Sequence, residues 1–416
     1  MTEICYPKTA KLLSVSEARQ KITQAIEIIT EIEYIHIADG LSRILAETVL
    51  SPIDIPPQRN AAMDGYAFTS ADVIKNQPFT LKEVGTSWAG KPFIGSIEKN
   101  QCVRIFTGAV VPDFADSVIA QEQVLRQKDE ITLPADTLIG KNIRAAGSDV
   151  KESEILIAAP KKLSAIDLSL LAAAGVSRIT VKRQLKIGFF STGDELTRVG
   201  EPLQPGQIYD SNRYMLAALL KDPNHAVSDL GVIQDDAKLL ESTISKAAGS
   251  FDVLISTGGA SVGDADFVKK IMEKIGQINF WKLAIKPGKP LAFGKIKNCW
   301  FFGLPGNPVA VLVTHQQFVK PALEQLSGVK PSKPLQLKAR CETALRKTPG
   351  RQEYQRGILR QTADGEFIVQ AASEQDSHQL KIASLANCCI VLPKENSGVM
   401  VGETVLVEPF DDHITT

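Results

Sequence analysis

In the first 180 or so residues, the hydrophobic positions follow helical spacing in some segments and strand-like spacing in others. Apolar side chains recur at helical spacing over residues 14–30, which predicts an amphipathic helix. Ser14 and Glu17 have the spacing of a capping box at its start. Over 61–150, short β-like runs such as QCVRIF and DSVIA are broken by Gly, Pro and Asn, which predicts an irregular β domain. A second helical stretch, KKLSAIDLSLLAAAGV at 161–176, is expected to pack against the first helix.

The hydrophobic pattern changes at Leu185, and from there predicted strands alternate with predicted helices. Apolar strands such as KIGFF, FDVLIS and NCWFFGL precede loops and helices, the last of them a long helix, VAVLVTHQQFVKPALEQL. This order is typical of a mostly parallel sheet covered on both faces. Short strands return after the last helix and predict a small β-barrel or β-sandwich.

The pattern as a whole predicts a multidomain α/β plus β fold with a central three-layer α/β domain. The expected domains are a split helical domain of 1–50 with 151–184, an irregular β domain of 51–150, an α/β domain of 185–329 and a C-terminal β-barrel of 330–416.

Composition narrows the classes of function. The chain has 416 residues with 47 Lys+Arg and 47 Asp+Glu, so a general nucleic-acid or anionic-membrane binder is not expected. No apolar run is long enough for a membrane-spanning helix, and the first residues show no signal-peptide pattern. The 6 cysteines form no C-x-x-C motif. We therefore expect a cytoplasmic protein with buried free thiols.

Three loops of the predicted α/β domain carry the candidate chemistry. They are STGDE at 191–195, TGGASVGD at 257–264 and LPGNP at 304–308. Ligands of open α/β sheets bind outside the carboxyl ends of the strands, where these loops are expected. Their backbone N–H groups, and the N-termini of the helices that follow, suit a phosphate group.

Acidic side chains accompany these loops. The adjacent carboxylates Asp194 and Glu195 are costly to desolvate unless a cation balances them, and Mg²⁺ carried on a substrate phosphate would do so. Asp235 and Asp236 follow another strand, where metal binding and capping of the next helix are both open. For Asn307, in the third loop, capping and ligand contact are likewise both open.

A lysine-rich loop indicates an anion. Lys282, Lys286 and Lys289 fall within eight residues, in a frame of Pro and Gly that is expected to hold the ammonium groups close together. Such a group of like charges calls for an oxyanion or a phosphate, and a solvated surface turn is the alternative. In the predicted irregular β domain, NAAMDGYA at 60–67 either presents the carboxylate of Asp64 or forms a plain Asp-Gly turn.

Taken together, these motifs resemble the molybdopterin molybdenumtransferase family, which includes the E domain of gephyrin. The resemblance covers nearly the whole chain. The matching stretches are PP-x-x-N-x-AMDGYA at 56–67, RIFTGAVVP at 104–112, AAGSD at 145–149, STGDEL at 191–196, PGQIYDSNRYML at 205–216, GGASVGDAD at 258–266, WKLAIKPGKPLAFG at 281–294, GLPGNPVAV at 303–311 and QRG at 355–357. The chain departs from the family pattern at Gln58, Arg59, Ala61 and Gln234. We expect these departures to affect packing or affinity rather than the type of reaction.

The resemblance implies a reaction and an assembly. The enzyme would insert molybdate into adenylylated molybdopterin, cleave the pyrophosphate link with a divalent cation, here Mg²⁺, and release AMP and the molybdenum cofactor. The resemblance also implies four domains and an elongated homodimer, with each active cleft between the α/β domain of one subunit and domains of the other. Contact with the molybdopterin adenylyltransferase and with apo-molybdoenzymes is expected, and no nucleic-acid or membrane partner.

The residue roles implied by the resemblance follow the matched positions. The catalytic candidates are Asp64, Thr107, Asp149, Glu195, Asp235 and Asp266, of which Glu195, Asp235 and Asp266 are also the candidate metal ligands. The substrate-binding candidates are Asp194, Gly258, Gly259, Ser261, Lys282, Lys286, Lys289, Pro305, Pro308, Arg356 and Ser377. The molybdate candidates among them are Lys286, Lys289, Arg356 and Ser377, with Ser384 as the alternative to Ser377. A guanidinium suits a tetrahedral oxyanion because its fork donates two hydrogen bonds.

Two other functions are kept as alternatives. The sister enzyme that adenylylates molybdopterin resembles only residues 185–329, so the rest of the chain counts against it. The second alternative is a non-catalytic scaffold, because gephyrin also clusters receptors. The absence of a long linker and of a fused second enzyme domain counts against the scaffold.

Overall fold

The structure is a computed structural model that describes residues 12–258, 267–331, 333–372, 375–376 and 378–410. Two compact units divide the chain. Unit 1 comprises Met1–Glu33, Ser42–Ile44 and Lys182–Thr416, and unit 2 comprises Tyr34–Leu41 and Leu45–Val181. The α-helices are α1 (Val15–Ala25), α2 (Ala165–Ala173), α3 (Ser211–Leu219), α4 (Ala237–Ala247), α5 (Phe267–Ile275), α6 (Pro308–Thr314), α7 (Lys320–Leu326) and α8 (Leu380–Leu385). Among the residues described, no helix is both long enough and apolar enough to cross a membrane.

A six-stranded sheet forms the body of unit 2. The strands in this part of the chain are β1 (Ile32–His36), β2 (Ile44–Leu45), β3 (Val49–Leu50), β4 (Asn60–Ala61), β5 (Gly65–Phe68), β6 (Phe79–Ser87), β7 (Gln101–Ile105), β8 (Ser117–Ala120), β9 (Leu125–Gln127), β10 (Glu130–Leu133), β11 (Ile143–Arg144), β12 (Ile155–Ile157), β13 (Lys161–Lys162) and β14 (Arg178–Lys182). The main sheet has the order β8-β5-β7-β6-β10-β9. Strands β6 and β7 are parallel, whereas β5 is antiparallel to β7.

Both faces of this sheet are covered. Strand β5 is buried along its whole length, with Tyr66 and Phe68 in one hydrophobic cluster and Ala67 in another. Successive side chains of a strand point to opposite faces, so the apolar run GYAF places large side chains on one face and a small one on the other. A third cluster of unit 2 contains Leu45 of β2 and Leu171 of α2.

A second six-stranded sheet forms the centre of unit 1. The strands from 185 to 304 are β15 (Leu185–Thr192), β16 (Leu196–Thr197), β17 (Ile208–Tyr209), β18 (His225–Ile233), β19 (Val253–Thr257), β20 (Gln277–Lys282), β21 (Ile285–Lys286), β22 (Pro290–Ile296) and β23 (Cys299–Leu304). The sheet has the order β18-β15-β19-β23-β22-β20, and its first four strands are parallel. Strand β22 is antiparallel to both neighbours, and a two-residue turn, with Lys297 at φ 53°, joins it to β23.

Alternate residues of the central strands enter two separate cores. On β15, Ile187 and Phe189 belong to the cluster that includes residues of α1, α3, α6 and α7, whereas Phe190 belongs to the cluster with α4 and α5. The central sheet is therefore the middle of three layers. Because its parallel strands are buried on both faces, their sequences are nearly continuous apolar runs.

The long helix expected after the third loop is interrupted. The structure has α6, a π-helical turn over His315–Val319 and then α7. Pro321 accounts for the interruption because it has no N–H to donate to the carbonyl of Gln317. That carbonyl accepts a hydrogen bond of 3.0 Å from Arg19 Nε of α1 instead.

The first helix does not pack where the sequence pattern suggested. Helix α1 has the predicted capping box of Ser14 and Glu17, but it ends at Ala25. Its buried face joins the core of unit 1, whereas Leu171 of α2 lies in a core of unit 2. The predicted pairing of these two helices is wrong, because an apolar stripe shows that a helix packs but not against which neighbour.

The C-terminal strands close into a barrel. They are β24 (Leu337–Cys341), β25 (Leu345–Arg346), β26 (Gln352–Gln361), β27 (Phe367–Ala371), β28 (Cys388–Leu392), β29 (Gly398–Val399) and β30 (Thr404–Pro409). Five of them follow the order β26-β27-β24-β30-β28, and β28 pairs back to β26. Side chains such as Val369, Ile390 and Val407 fill one core cluster. The predicted small β-barrel is confirmed, and the alternative of a sandwich is excluded.

Candidate active site

A cavity of about 620 Å³ lies in unit 1 at the carboxyl ends of three parallel strands. Thr192 ends β15, Gly258 follows β19 and Pro305 follows β23, and all three line the cavity. This is the position expected for a ligand of an open α/β sheet. The other lining residues are Gly193, Glu195, Asp235, Ile285, Lys286, Pro287, Gly288, Lys289, Pro290, Gly306, Asn307, Ala310, Arg351, Glu353, Tyr354, Gln355, Gln375 and Asp376.

Carboxylates gather on the side of β15. Thr192 Oγ1 donates a hydrogen bond to Asp235 Oδ1, and the backbone N–H of Asp235 donates to Asp194 Oδ1 at 3.2 Å. The Glu195 carboxylate folds back on Gly193, where a Cβ would lie 2.6 Å from Oε2. Because Gly193 also has φ 149°, only glycine fits there. The structure therefore brings together the predicted Asp194, Glu195 and Asp235.

The structure separates the alternatives for three polar residues. Asp236 is the N-cap of α4, and its Oδ1 accepts a hydrogen bond of 2.8 Å from the Leu239 N–H. Asp235 lines the cavity instead. Asn307 occupies the N-cap position of α6, but its side chain makes no capping hydrogen bond, and it also lines the cavity. Capping therefore accounts for Asp236 alone.

Asn212, in the first turn of α3, fixes the ends of two strands. Its Nδ2 donates to Thr257 Oγ1 at 2.9 Å and to the Gly306 carbonyl at 2.7 Å. Thr257 Oγ1 in turn donates to the Pro305 carbonyl at 3.2 Å. Sequence reasoning did not select Asn212, although it stands inside the matched stretch PGQIYDSNRYML.

The lysine loop supplies positive charge, but not with all three side chains. Lys286 and Lys289 line the cavity, whereas Lys282 is exposed at the end of β20 and is not a lining residue. Gly288 lets the loop pack on α6, because at φ 107° a Cβ would lie 2.6 Å from Thr314 Cγ2. Two of the three predicted lysines therefore come together.

The barrel joins the cavity at Lys286. Strand β21 pairs in parallel with β26, which places Lys286 opposite Glu353. Lys286 Nζ lies 3.4 Å from Glu353 Oε2, and Gln355 Nε2 donates to the same oxygen at 3.2 Å. The Glu353 side chain is 4% exposed and that of Lys286 is 50% exposed. The lysine thus compensates a buried carboxylate while part of its surface remains available.

The barrel also contributes lining residues that sequence reasoning missed. Arg351, Gln355, Gln375 and Asp376 line the cavity beside Glu353. Arg351 makes no hydrogen bond or ion pair with any other residue that the structure describes. The only sequence signal was the position of Arg351 four residues before the QRG motif of 355–357. Its guanidinium is a third cation of the cavity.

Arg356 is not among the described residues that line the cavity, and its predicted contact with the oxyanion stays a prediction. It is 1% exposed, and its Nη2 donates to the Asp376 carbonyl at 3.1 Å. Its backbone N–H donates to Gln375 Oε1 at 2.7 Å. Burial lowers the pKa of this guanidinium. Arg356 therefore lies beneath Gln375 and Asp376 and holds that part of the cavity wall.

Four predicted site residues lie outside the described part of the chain: Gly259, Ser261, Asp266 and Ser377. Pro308 is the first residue of α6, a position whose N–H has no hydrogen-bond partner within the helix, so proline costs nothing there. Pro308 is not among the residues that line the cavity. Ser384, the alternative to Ser377, lies on α8 and donates to the Lys381 carbonyl at 2.8 Å.

In unit 2, the structure brings together two of three predicted residues. The backbone N–H and the hydroxyl of Thr107 donate to Asp64 Oδ1 at 2.8 and 2.7 Å. These two hydrogen bonds, with a smaller contribution from the charge of Arg104, hold the pKa of the Asp64 carboxyl below its ordinary value. Asp149 has an exposed side chain that bonds to neither residue, and its backbone N–H donates to the Ile55 carbonyl at 3.0 Å.

The described residues include two of the three predicted metal ligands, and their cysteines are buried. Among the residues that the structure covers, no three His, Cys, Asp or Glu side chains are arranged to hold a metal ion. Glu195 and Asp235 both line the cavity, but the third predicted ligand, Asp266, is not covered. The five cysteines of the described residues are buried and free, and burial raises the pKa of Cys102 and of Cys299 to about 12, which leaves their thiols protonated and unreactive.

The fold and the cavity together define a class of protein. A three-layer α/β sheet carries, at its strand ends, a cavity lined by carboxylates, two lysines and an arginine, and a small barrel supplies part of the wall. Such a site suits an anionic ligand with phosphate or oxyanion groups.

Comparison with known proteins identifies the family. Residues 13–175 match the model of the MoeA N-terminal region (domain I and II), 188–325 match a probable molybdopterin binding domain, and 338–410 match the MoeA C-terminal region (domain IV). The molybdopterin molybdenumtransferase of Haemophilus influenzae is 43% identical over 96% of this chain and 99% of that protein. That of a Nostoc species is 36% identical over 91% of this chain and 88% of that protein.

A solved structure agrees with the sequence comparisons. The molybdopterin biosynthesis MoeA protein of Pyrococcus horikoshii OT3 superposes with a TM-score of 0.82 at 27% identity, over 96% of this chain and 100% of that chain. This chain therefore belongs to the molybdopterin molybdenumtransferase family, whose members act in molybdenum cofactor biosynthesis. The family, and the class of enzyme predicted from the motifs, are confirmed.

Proposed function

We propose that this protein inserts molybdate into adenylylated molybdopterin and releases AMP and the molybdenum cofactor. The observation that carries the proposal is the cavity of unit 1, which combines Lys286, Lys289 and Arg351 with Glu195 and Asp235. An oxyanion, a phosphate link and a divalent cation have to meet in this reaction, and both signs of charge have to be fixed in one place to receive them.

Molybdate, as a substrate, is assigned to the basic side of this cavity. Lys286 and Lys289 supply charge, and the planar fork of Arg351 suits two oxygens of a tetrahedral oxyanion. Arg356 remains a proposed molybdate contact, and its hydrogen bonds hold the segment of Gln375 and Asp376 that borders the cavity. Ser377 and Lys282 remain predictions from the sequence.

The acidic side of the cavity is assigned to Mg²⁺. Glu195 and Asp235 line it and Asp194 adjoins, and carboxylate oxygens are the ligands that Mg²⁺ prefers. Their gathering at one strand end fits a cation, because neighbouring carboxylates repel one another and a bound cation offsets that repulsion. When bound, Mg²⁺ neutralises charge on the phosphates as the pyrophosphate link breaks. Asp266 is proposed as a further ligand on its sequence position alone.

The phosphates of the substrate are assigned to the strand ends. Gly258 and Pro305 line the cavity, and Asn212 fixes the loops that carry them. Gly259 and Ser261 are proposed as neighbours in the same loop, and Pro308 as a residue that shapes it. The roles of Asp64, Thr107 and Asp149, the four-domain division, the homodimer, contact with the adenylyltransferase and apo-molybdoenzymes, and the cytoplasmic location also remain proposals.

An assay of AMP release tests the proposal. Purified protein is supplied with adenylylated molybdopterin, molybdate and Mg²⁺, and the AMP formed is measured with activation of an apo-molybdoenzyme. We expect Lys286→Met to raise the KM for molybdate about tenfold or more, as the loss of a charged hydrogen bond predicts. Lys297→Met, on an exposed turn of the same domain, is the matched control and is expected to behave like wild type. Formation of adenylylated molybdopterin from ATP and molybdopterin, without molybdate-dependent AMP release, would favour the sister enzyme instead.

A further inference from the structure

Three strands of unit 2 present their flanking residues at one edge of the main sheet. Strands β6 and β7 run parallel and end at this edge, and the antiparallel β5 begins there. Trp88 follows β6, Phe106 follows β7, and Asp64 precedes β5. The topology therefore gathers two aromatic rings and a carboxylate that are far apart along the chain.

The aromatic rings form a stack that runs from the core to the surface. Arg104 Cζ lies 4.8 Å from the ring centre of Tyr66 and 5.2 Å from that of Phe106. The rings of Phe106 and Trp88 stack at 4.1 Å with an angle of 10° between their planes. Tyr66 is 1% exposed and Trp88 is 51% exposed. Trp88 is thus the outer end of the stack, with half of its surface in water although Phe106 covers one face.

The carboxylate beside this stack is held ready to accept hydrogen bonds. Both donors of Thr107 fix Asp64 Oδ1, at 2.8 and 2.7 Å, and keep the carboxylate charged. No described residue donates a hydrogen bond to Asp64 Oδ2. Thr107, which holds the carboxylate, directly follows Phe106, on which the exposed indole stacks. A fixed carboxylate and an exposed aromatic ring are the groups that bind flat nitrogen heterocycles, whose faces stack and whose edges donate hydrogen bonds.

The chemistry of Asp64 distinguishes two kinds of ring. A pterin presents an N–H and an amino group side by side on its 2-amino-4-oxo edge, and both donate to a carboxylate. Adenine presents one amino group next to a ring nitrogen that is an acceptor, and this nitrogen repels a carboxylate. Stacking on Trp88 accommodates either ring, whereas Asp64 favours the pterin.

We infer that this edge of unit 2 is a binding site for a pterin ring, with Trp88 stacked on its face and Asp64 accepting hydrogen bonds from its amino edge. The choice of a pterin as ligand rests on the proposed function, since adenylylated molybdopterin carries both a pterin and an adenine. The site also gives Asp64 and Thr107 a role in binding, with Thr107 as the residue that positions the carboxylate.

Binding and kinetics of the full-length protein test this site. Titration calorimetry measures the affinity for 6-hydroxymethylpterin and, separately, for AMP, and steady-state assays measure KM and kcat for adenylylated molybdopterin. Trp88→Ala is expected to weaken pterin binding and raise this KM by about 5- to 150-fold, which corresponds to a stacking contribution of about 1–3 kcal/mol. Trp88→Phe keeps a ring and is expected to remain close to wild type. Asp64→Asn is expected to weaken binding of the pterin and not of AMP.

Controls separate this site from general effects and from the proposed function. Leu125→Ala removes a side chain that is 72% exposed from β9 of the same sheet, and is expected to bind like wild type. Unchanged pterin affinity in Trp88→Ala would overturn the site, as would equal losses in the Phe and Ala variants. A loss of AMP affinity alone would overturn the choice of pterin. If wild type binds the pterin but releases no AMP from its substrate, the proposed function fails and the ring site stands.

Discussion

Two adjacent acids at the start of α4 are expected to respond in opposite ways to the same substitution. Asp235 lines the cavity and accepts a hydrogen bond from Thr192, whereas Asp236 caps α4 through Leu239. Asp235→Ala should therefore lower activity with little change in stability. Asp236→Ala should lower stability with little change in activity.

The magnitudes follow from the contacts. Removal of the 2.8 Å capping bond of Asp236 costs about 1 kcal/mol, within a range of about 0.5–2 kcal/mol. In a unit of this size a loss of about 1 kcal/mol lowers Tm by roughly 2–4 °C. For Asp235, a unit charge about 4 Å from a cation contributes about 1 kcal/mol in water and about 4 kcal/mol near a protein surface. Its loss should lower kcat/KM between about fivefold and nearly a thousandfold.

The assay pairs thermal unfolding with molybdate-dependent AMP release at several Mg²⁺ concentrations. We expect Asp235→Ala to need more Mg²⁺ for half-maximal rate, because the carboxylate is assigned to the cation. Asp236→Ala should keep the Mg²⁺ dependence of wild type and unfold at a lower temperature. Equal losses of activity in both variants, or a loss confined to Asp236→Ala, would refute the separation of roles.

Three further predictions concern other parts of the structure. Arg351→Ala should raise the KM for molybdate by about tenfold to a hundredfold in steady-state assays, with partial recovery in Arg351→Lys, since a charged hydrogen bond is worth about 1.5–3 kcal/mol; an unchanged KM would exclude it from the oxyanion site. Gly288→Ala should lower the free energy of unfolding by about 1–3 kcal/mol in denaturant titrations, because its Cβ would lie 2.6 Å from Thr314 Cγ2; wild-type stability would show that the loop is free to move. Thr107→Val should raise the pKa of Asp64 toward its ordinary value in an NMR titration. The two hydrogen bonds of Thr107 are the main cause of the lowered pKa, and the variant keeps only the bond from the backbone N–H. A carboxyl group with a lowered pKa stabilises the fold at pH values above its ordinary pKa, and this stabilisation is lost as pH falls through the folded-state pKa. The variant should therefore lose the stabilisation at a higher pH than wild type. An identical titration curve would contradict this.

Features that depend on neighbouring residues in the chain could be predicted from the sequence. The capping box of Ser14 and Glu17 and the apolar runs of the central sheet each depend on a short segment. The position of the cavity at the ends of β15, β19 and β23 follows from a rule for open α/β sheets and needs no long-range detail.

Features that depend on tertiary pairing could not be predicted. Arg351 and Glu353 reach the cavity because β21 pairs with β26 of the barrel. No local pattern in the amino-acid sequence indicates that pairing. Arg356 shares a motif with the family, but the motif does not reveal that its side chain is buried beneath the cavity wall.

The sequence also could not decide which of two neighbouring residues caps a helix and which lines the cavity. Asp235 and Asp236 are chemically identical neighbours, and only the backbone geometry at the start of α4 makes one a cap and leaves the other to the cavity. Similarly, Pro321 was visible in the sequence, but the donor that reaches the Gln317 carbonyl is Arg19 of α1, which lies 298 positions away along the chain.

Anomalous diffraction at the molybdenum absorption edge tests the central claim most directly. Crystals of the full-length protein soaked in molybdate should show a peak inside the cavity of unit 1, within hydrogen-bonding distance of Lys286 or Lys289 and lost in the Lys286→Met variant. A peak only elsewhere on the chain, or an unchanged peak in that variant, would contradict the assignment of this cavity to the oxyanion.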